Sequence, residues 1–218
     1  MKEWTVVVAD SQSAGKGQRG NAWQSDEGKN LLCSVVLFPS FLKSNQQFLI
    51  SACASLAILE TIKIFGVIGA IKWPNDVLVN REKIAGLLIE NTHRKGLVDS
   101  SIIGIGLNVN QMEFPNYKWP ATSIRKALGG LEINLEDVLV VLMKELRKQQ
   151  MVMKSNPASL IQAFNESLEL KGEQIAFQTS SHLDEGILLG VEDSGELILL
   201  VNGLEKRFVN GEIKLMRI

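Results

Sequence analysis

The feature that most constrains the fold is a polar segment, residues 72–76, placed between two apolar runs. It reads Lys-Trp-Pro-Asn-Asp, and Pro74 favours a turn because its ring fixes φ at about −65° and disfavours a helical residue before it. An apolar run follows Asp76, a polar turn follows that run, and Lys83 then opens a second apolar run. The pattern predicts a β-hairpin that holds Asp76 and Lys83 at its two ends, with Lys72 nearby.

Composition places the chain among ordinary globular proteins of one or two domains. Of its 218 residues, 45% are apolar and 22% are charged, and the net charge is −1 at pH 7. So small a charge gives no general attraction to nucleic acid or to anionic membranes. The N-terminal residues include no apolar stretch of signal-peptide length, and the longest apolar run, residues 48–59, is expected to be too short to span a bilayer. The sequence thus predicts a cytoplasmic protein with neither a nucleic-acid nor a membrane partner.

The two cysteines give no sign of a metal centre. Cys33 and Cys53 lie in apolar surroundings, and their spacing does not match that of known metal sites. Cysteine is among the most buried residue types, so we interpret both as buried, reduced thiols and predict no metal held by the protein itself.

Residues 1–170 have the pattern of one main domain with strands and helices. Strands are predicted at 5–9, 31–38, 84–90 and 101–109, in addition to the hairpin, and helices at 48–65, 134–153 and 157–168. Ser44 and Gln47 have the spacing of a capping box before the first helix. A polar, glycine-rich loop occupies residues 10–30, and a loop of this length in a compact domain is usually functional. Residues 111–120 form a second irregular loop with two prolines.

From Lys171 onward, short strands alternate with turns. The strands are predicted at 174–178, 186–191, 196–201, 205–209 and 212–216. Asn202-Gly203 and Asn210-Gly211 are dipeptides of the type favoured in tight hairpins. We therefore expect residues 171–218 to form a small SH3-like β-barrel that packs on the main domain.

The loop contains a glycine pattern that is also found in dinucleotide-binding proteins. Residues 15–20 match G-x-G-x-x-G, but that fingerprint requires a helix at the last glycine and an acidic residue about twenty positions further on. No amphipathic helix follows Gly20, and the acidic position falls in the apolar residues 37–39. We reject the dinucleotide interpretation.

Three stretches of the sequence, taken in order, resemble biotin protein ligases. Residues 12–23, which begin at Gln12 and end at Trp23, are similar to the family's glycine- and arginine-rich biotin loop. Residues 72–86 resemble its active-site hairpin, and residues 104–110, Gly-Ile-Gly-Leu-Asn-Val-Asn, resemble the strand on its nucleotide side. Each stretch alone is a weak signal, whereas the three together are specific.

The resemblance implies both a fold and a reaction. The fold is α+β, with a mixed sheet and helices as in class II synthetases and the biotin–lipoate ligases, plus the SH3-like barrel. The reaction uses ATP and Mg²⁺ to activate biotin as biotinyl-5′-adenylate. The biotinyl group is then transferred to a lysine of a biotin carboxyl carrier protein. Since family members often form dimers, the question of a homodimer stays open.

The resemblance also implies roles for single residues. Lys83 would supply positive charge where two anions meet, and Asp76 would act as the base or orienting group for the carrier lysine. Residues implied in biotin binding are Gln12, Lys16, Gly17, Gln18, Arg19, Lys83 and Gly86, and those implied in ATP binding are Trp23, Asn108 and Lys83. Trp73 is expected in the core instead.

The sequence departs from the family pattern in its loop and at its N-terminus. Lys16, Gln18 and Asn21 stand where members usually have arginine, so charge and bidentate hydrogen bonding are reduced. We therefore expect this loop to hold the adenylate less tightly. The family's Ser/Thr-Thr-Asn segment, which contacts biotin, does not precede the first strand, so either the sequence is truncated or another element fills the gap. No helix-turn-helix precedes that strand either, and a repressor function is not expected.

Two other functions stay open at this point. Lipoate ligases are similar in fold and in two-step logic, and their substrate also ends in a carboxylate on an aliphatic arm. The hairpin resembles the biotin branch more closely. The other alternative, a non-catalytic protein that binds biotin or the adenylate, would follow if the missing N-terminal segment disables the reaction.

Overall fold

The larger of two sheets has six strands and forms the frame of the main domain. The computed structural model describes residues 1–115 and 120–216. The strands of this sheet are β1 (Val6–Ala9), β2 (Leu31–Leu37), β3 (Ala70–Lys72), β4 (Asp76–Val79), β5 (Glu82–Arg94) and β6 (Leu97–Leu107). Their order across the sheet is β1-β2-β6-β5-β4-β3. The predicted hairpin is confirmed, with β3 and β4 joined through a cis Trp73–Pro74 peptide bond.

The expected mixed sheet is an antiparallel one. All neighbouring strands in it run antiparallel, because β3 to β6 follow one another through short turns, and such turns join antiparallel strands. Among the described residues, parallel pairing is limited to isolated bridges, between Ile71 and Leu168, between Lys83 and Ala121 and between Asn210 and Ile213. The predicted α+β fold is confirmed, and its larger sheet differs from the expected mixed sheet in that its described strands pair antiparallel throughout.

The described part of the chain contains four α-helices, and the longer ones form a layer on this sheet. The four helices are α1 (Phe48–Ile64), α2 (Ile124–Ala127), α3 (Leu135–Ser155) and α4 (Pro157–Glu166). Helix α1 packs on β3, β4 and β5, and α3 and α4 pack on α1. The segment 44–64 is apolar and long enough to cross a bilayer, contrary to our expectation, but 67% of its apolar window is buried inside the protein. It forms the central helix of the hydrophobic core.

The ends of the helices show where local sequence signals operate. Asn134 caps α3 as predicted, because its Oδ1 accepts hydrogen bonds from the main-chain N–H groups of Glu136, at 2.7 Å, and Asp137, at 3.2 Å. The predicted capping box of Ser44 and Gln47 is wrong. Residues 44–46 instead form a 3₁₀ turn, and α1 begins without a side-chain cap. Burial stabilises this helix start in place of a cap.

The smaller sheet contains the C-terminal strands. They are β7 (Gln174–Gln178), β8 (Leu183–Val191), β9 (Leu197–Val201), β10 (Leu204–Phe208) and β11 (Lys214–Leu215), in the order β10-β9-β8-β7-β11. Asn202 and Gly203 join β9 to β10 with φ values of 53° and 78°, as a type I′ turn requires. The expected barrel is wrong in one respect: the sheet is open. Strand β11 pairs with β7 and not with β10, so the two edges do not meet. Residues 217 and 218 of the predicted C-terminal domain lie outside the described residues, as do residues 116–119 of the predicted loop 111–120.

The two sheets are joined by a continuous apolar core and by buried hydrogen bonds. Trp73 is 5% exposed, which confirms the prediction that it is a core residue. Its Nε1 donates to the carbonyl oxygen of Gly195 at 3.0 Å. Asn165 at the end of α4 bonds both main-chain groups of Val191, at 2.7 and 3.0 Å. These contacts fix the C-terminal sheet against the main domain.

Replacement of Trp73 by phenylalanine should lower the free energy of unfolding by about 1–3 kcal/mol, because it leaves the Gly195 carbonyl without its partner in a buried place. Urea denaturation monitored by far-ultraviolet circular dichroism measures this loss. The partly exposed Trp4, changed in the same way, serves as the matched control. An equal loss in both variants would contradict the assigned role of the indole N–H.

Candidate active site

One face of the larger sheet has a floor of small residues. Successive side chains of a strand point to opposite faces, so the even-numbered residues of β2 and β6 share one face with residues 86, 88 and 90 of β5. A bulge in the pairing of β4 with β5 shifts this alternation before Ala85, and Lys83 therefore also lines the cavity. Across that face Gly86 lies opposite Gly106, and Leu88 lies opposite Gly104. The odd-numbered residues, such as Ile105, are buried in the core. The glycines leave a cavity of about 260 Å³ over the sheet.

Trp23 covers part of this floor. A Cβ atom on Gly106 would come within 2.5 Å of Trp23 Cε2, and one on Gly86 within 3.1 Å of Trp23 Cζ3. Glycine at both positions therefore allows the indole to lie against the strands. The indole Nε1 is buried and has no hydrogen-bond partner among the described residues. Because an unpaired buried donor is costly, an acceptor on a bound ligand would stabilise it.

The polar loop forms the opposite wall of the cavity. Its main chain is folded back on itself, since the Gly17 N–H bonds the Asn21 carbonyl at 2.7 Å and the Trp23 N–H bonds the Gly15 carbonyl at 2.9 Å. A 3₁₀ turn at residues 18–20 forms its tip. Loop residues that line the cavity are Gln12, Ala14, Lys16, Gly17, Gln18 and Trp23.

A cation pair bridged by one carboxylate lies at one end of the cavity. Lys83 Nζ is 2.6 Å from Asp76 Oδ1, and Lys72 Nζ is 3.8 Å from Asp76 Oδ2. Burial lowers the pKa of Lys72 below its usual value; Asp76 opposes the shift and Lys83 adds to it. Lys83 also lies 5.4 Å from the centre of the Trp23 ring. An ammonium has three donors, so the contact with Asp76 leaves Lys83 able to bind an anion in the cavity.

Comparison with known proteins agrees with this geometry. Residues 1–108 match the Biotin/lipoate A/B protein ligase family, and that range contains the loop, the hairpin and the glycines of β6. A biotin--[acetyl-CoA-carboxylase] ligase of Paracoccus denitrificans is 31% identical over 206 residues, which cover 88% of this chain and 82% of that protein. The chain belongs to the biotin/lipoate A/B protein ligase family.

Other members of this ligase family align along almost the whole chain. The bifunctional ligase/repressor BirA of Bacillus subtilis is 34% identical over 98% of this chain, and the alignment spans 66% of the length of BirA. The structure of the biotin protein ligase from Aquifex aeolicus in complex with biotin and ATP superposes with a TM-score of 0.84 at 28% identity. The superposition covers 100% of this chain and 91% of the Aquifex aeolicus protein.

Most of the residues predicted from the family resemblance lie together. Gln12, Lys16, Gly17, Gln18, Trp23, Lys83 and Gly86 all line the cavity. Asp76 does not line it but contacts Lys83 directly. Arg19 does not line it either, since its guanidinium extends to Asn210. The assigned ligand contacts of these residues stay predictions.

Asn108, predicted to face ATP, lies outside the cavity lining. It is 4% exposed, and its Nδ2 donates to the carbonyl of Thr122 at 3.0 Å. Its main-chain N–H bonds the Ile84 carbonyl at 2.8 Å, while the Lys83 N–H bonds the Pro120 carbonyl, also at 2.8 Å. Asn108 thus holds together the strands and the segment that position Lys83. The described conformation gives its ATP contact no support, and that contact stays a prediction.

Several lining residues were missed by sequence reasoning. They are Ala14, Leu32, Ser34, Asn75, Leu87, Leu88, Glu90 and Ile102. Alternation along β2 and β6 divides the residues of each strand between two faces. Strand β2 is apolar on both faces, so its sequence does not indicate which face borders the cavity. Asn75 was predicted only as a turn residue, although its Nδ2 donates to the Leu87 carbonyl at 2.6 Å and continues the edge of the hairpin.

Both cysteines are buried and free, as predicted. Burial raises the pKa of Cys33 and that of Cys53 to about 12. Both thiols therefore stay protonated at neutral pH and are poor nucleophiles, although Cys33 borders the cavity. The chemistry of this site falls to its amines, amides and main-chain groups.

Proposed function

We propose that this chain is an ATP-dependent biotin–protein ligase that forms biotinyl-5′-adenylate and transfers the biotinyl group to a lysine of a biotin carboxyl carrier protein. One observation carries the proposal: the glycine-floored cavity ends at Lys83, whose ammonium is 2.6 Å from the Asp76 carboxylate. Relatives named for biotin ligation of acetyl-CoA carboxylase support the choice of carrier, and the complex of the Aquifex aeolicus enzyme with biotin and ATP supports the choice of substrates.

In the first step, a carboxylate oxygen of biotin attacks the α-phosphorus of ATP, and the bond to pyrophosphate breaks. Two anions must meet, so the reaction needs fixed positive charge where they approach. Lys83 supplies this charge, and the hydrogen bond to Asp76 fixes its direction. Mg²⁺ on the phosphates would offset further charge. The phosphates of ATP would themselves carry the Mg²⁺.

In the second step, the neutral ε-amine of the carrier lysine attacks the biotinyl carbonyl carbon, the bond from that carbon to the phosphate oxygen breaks, AMP leaves, and the amine proton passes to solvent. The geometry favours an orienting role for Asp76 over that of a base, because two ammonium groups already share its carboxylate. It would hold Lys83 towards the adenylate while the incoming amine aligns.

The cavity offers polar groups for the rest of the ligand. The ring system of biotin would lie beside the Trp23 indole, which itself covers Gly86 and Gly106, and its ureido group would bond polar lining residues such as Gln12 and Ser34. The N–H of Trp23, which has no partner among the described residues, would serve the adenylate. Main-chain and amide groups of this kind fix the orientation of a ligand in an otherwise apolar site.

The remaining expectations of the sequence belong to this proposal. Residues 1–170 would carry the catalytic site, and residues 171–218 would form the second unit. A cytoplasmic location and the lack of nucleic-acid and membrane partners rest on composition alone, and a homodimer stays a prediction.

An avidin blot tests the proposal. The chain is incubated with ATP, Mg²⁺, biotin and a carrier domain, and labelling of the carrier lysine is the expected result. Exchange of pyrophosphate into ATP is measured in parallel with biotin and with lipoate. Lipoate-dependent exchange alone would replace the proposal by lipoate ligation. Binding of biotin and nucleotide without exchange or labelling would make the chain a binding protein.

Gln18 provides a separate prediction about retention of the adenylate. The variant Gln18→Arg restores a charge-assisted donor at the cavity wall, and we expect it to release biotinyl-5′-adenylate about 10-fold more slowly. Labelling of non-target lysines should fall accordingly. Ser13→Arg, at an exposed loop residue outside the cavity lining, is the matched control. If the unmodified chain labels non-target lysines no more than Gln18→Arg does, the assigned looseness of this loop is wrong.

A further inference from the structure

Arg19 connects the tip of the cavity loop to the C-terminal sheet. Its main chain is in the left-handed region, with φ 56° and ψ 40°, which is unusual for a residue with a long side chain. From there the guanidinium reaches across 191 positions of sequence, and Nη2 donates to Asn210 Oδ1 at 2.5 Å. The residue predicted to contact biotin is therefore engaged outside the cavity.

Gly211, which follows Asn210 in the sequence, makes room for the guanidinium of Arg19. Gly211 has φ +108°, and a Cβ atom built on it would lie 2.5 Å from Arg19 Nη2 and 3.0 Å from Arg19 Cζ. The flat guanidinium thus lies directly on the main chain of Gly211, and a side chain at that position would displace it. Hydrogen bonding and close packing indicate the same partner independently.

The turn that receives Arg19 is itself well anchored. The Val209 N–H donates to Glu212 Oε2 at 2.9 Å, and the Glu212 N–H donates to the Val209 carbonyl at 3.1 Å. Both bonds close the turn around residues 210 and 211. A fixed acceptor of this kind holds a mobile donor more effectively than a flexible one does, because less conformational entropy is lost.

The tip of the loop also separates two cavities. Gln18 lines the cavity over the glycine floor, and it lines a second cavity of about 240 Å³ that is bordered by Asn75, Val209 and Asn210. Arg19 follows Gln18 directly, so its contact with Asn210 determines where Gln18 lies. If that contact were lost, the wall between the two cavities would be free to move.

We propose that the Asn210–Gly211 turn of the C-terminal sheet is a latch that keeps the loop closed over its ligand, with Arg19 as the positioning residue. The assignment to adenylate retention rests on the proposed function, whereas the latch itself does not. The C-terminal sheet would thus act on the reaction without touching a reacting atom.

Hydrogen–deuterium exchange of the ligand-free chain tests the latch directly. Arg19→Asn keeps a residue type that tolerates the left-handed conformation but cannot reach the turn, and Asn210→Ala removes the acceptor. Each should speed exchange of the amides of Gly17 and Trp23 by about 3- to 10-fold. The double variant should show no further increase, and Arg19→Lys, which keeps charge and reach, should restore part of the protection.

Lys206→Ala, on the exposed face of β10 in the same sheet, is the matched control and should leave loop exchange unchanged. Unchanged exchange in Arg19→Asn and Asn210→Ala, or fully additive effects in the double variant, would overturn the latch. The second readout is release of preformed biotinyl-5′-adenylate, which should become about 3- to 10-fold faster in both single variants. Release at the unmodified rate would overturn the role in retention. Failure of the unmodified chain to form adenylate would instead count against the proposed function, and the exchange experiment would still decide on the latch.

Discussion

Replacement of Lys83 by alanine is expected to slow the formation of biotinyl-5′-adenylate by about 100- to 1000-fold, which is the usual effect of removing one donor from a preorganised anion site. The side chain is half-buried and contacts Asp76 at 2.6 Å, so its charge is poorly replaced by water. Its removal also leaves Asp76 pointing a carboxylate towards an anionic substrate. Biotin-dependent exchange of pyrophosphate into ATP measures the loss.

Two further variants make this result specific. Lys83→Arg keeps the charge but replaces a compact ammonium by a planar fork, and it should recover only a small part of the rate. Lys63→Ala, at an exposed lysine 3.7 Å from Glu60 on α1, should leave the rate unchanged. Thermal denaturation of each variant separates lost chemistry from lost folding. An Lys83→Ala enzyme that is folded and within threefold of the normal rate would contradict the central role of this residue.

Replacement of Gly106 by alanine is expected to weaken biotin binding by at least about 10-fold, or ~1.4 kcal/mol. The added methyl group would lie 2.5 Å from Trp23 Cε2 and 2.6 Å from Trp23 Cζ2, and both atoms belong to a rigid ring. Either the indole or the strand must move, and overpacking of this kind costs about 1–3 kcal/mol. A displaced indole would narrow the space left for the ligand. Titration calorimetry with biotin measures the effect.

A double variant identifies the cause. In Trp23→Leu the ring is absent, so the further change Gly106→Ala should no longer displace a rigid neighbour. If the clash with Trp23 dominates, the effects of Trp23→Leu and Gly106→Ala on the free energy of biotin binding are coupled. The double variant then binds biotin more tightly than the sum of the two single losses predicts. Strict additivity would show that the methyl group acts on the ligand alone. Unchanged affinity in Gly106→Ala would mean that biotin does not use this floor.

Local patterns in the sequence predicted the elements of the fold well. The hairpin at Lys72–Asp76, the Asn134 cap and the Asn202-Gly203 turn all depend on neighbouring residues, and their outcome follows from backbone preferences alone. The open edge of the C-terminal sheet could not be predicted in this way, because closure depends on whether the edge strands β10 and β11 meet across the three strands between them. Helix α2 was missed because four residues carry too short a pattern.

In the candidate site, too, local patterns predicted some residues and could not indicate contacts between distant ones. Lys83 and Gly86 were predicted because they share a motif, and the alternation of β6 explains why its even-numbered glycines face the cavity. Trp23 over Gly106 and Arg19 on Gly211 join residues that are far apart in sequence, and no local pattern indicates either contact. The ATP contact of Asn108 stays a prediction from its motif, and no local pattern indicates that its side chain bonds the carbonyl of Thr122.

The two walls of the cavity differ in how readily their residues could be substituted. Its floor is part of three hydrogen-bonded strands, where a side chain added at Gly86 or Gly106 would meet the rigid ring of Trp23. The loop opposite is held by a handful of main-chain bonds, so its residues can be exchanged with little risk to folding. Directed evolution towards other carboxylic acids should therefore begin with libraries at the loop positions, and variants recovered from the strands should be rare and mostly unstable.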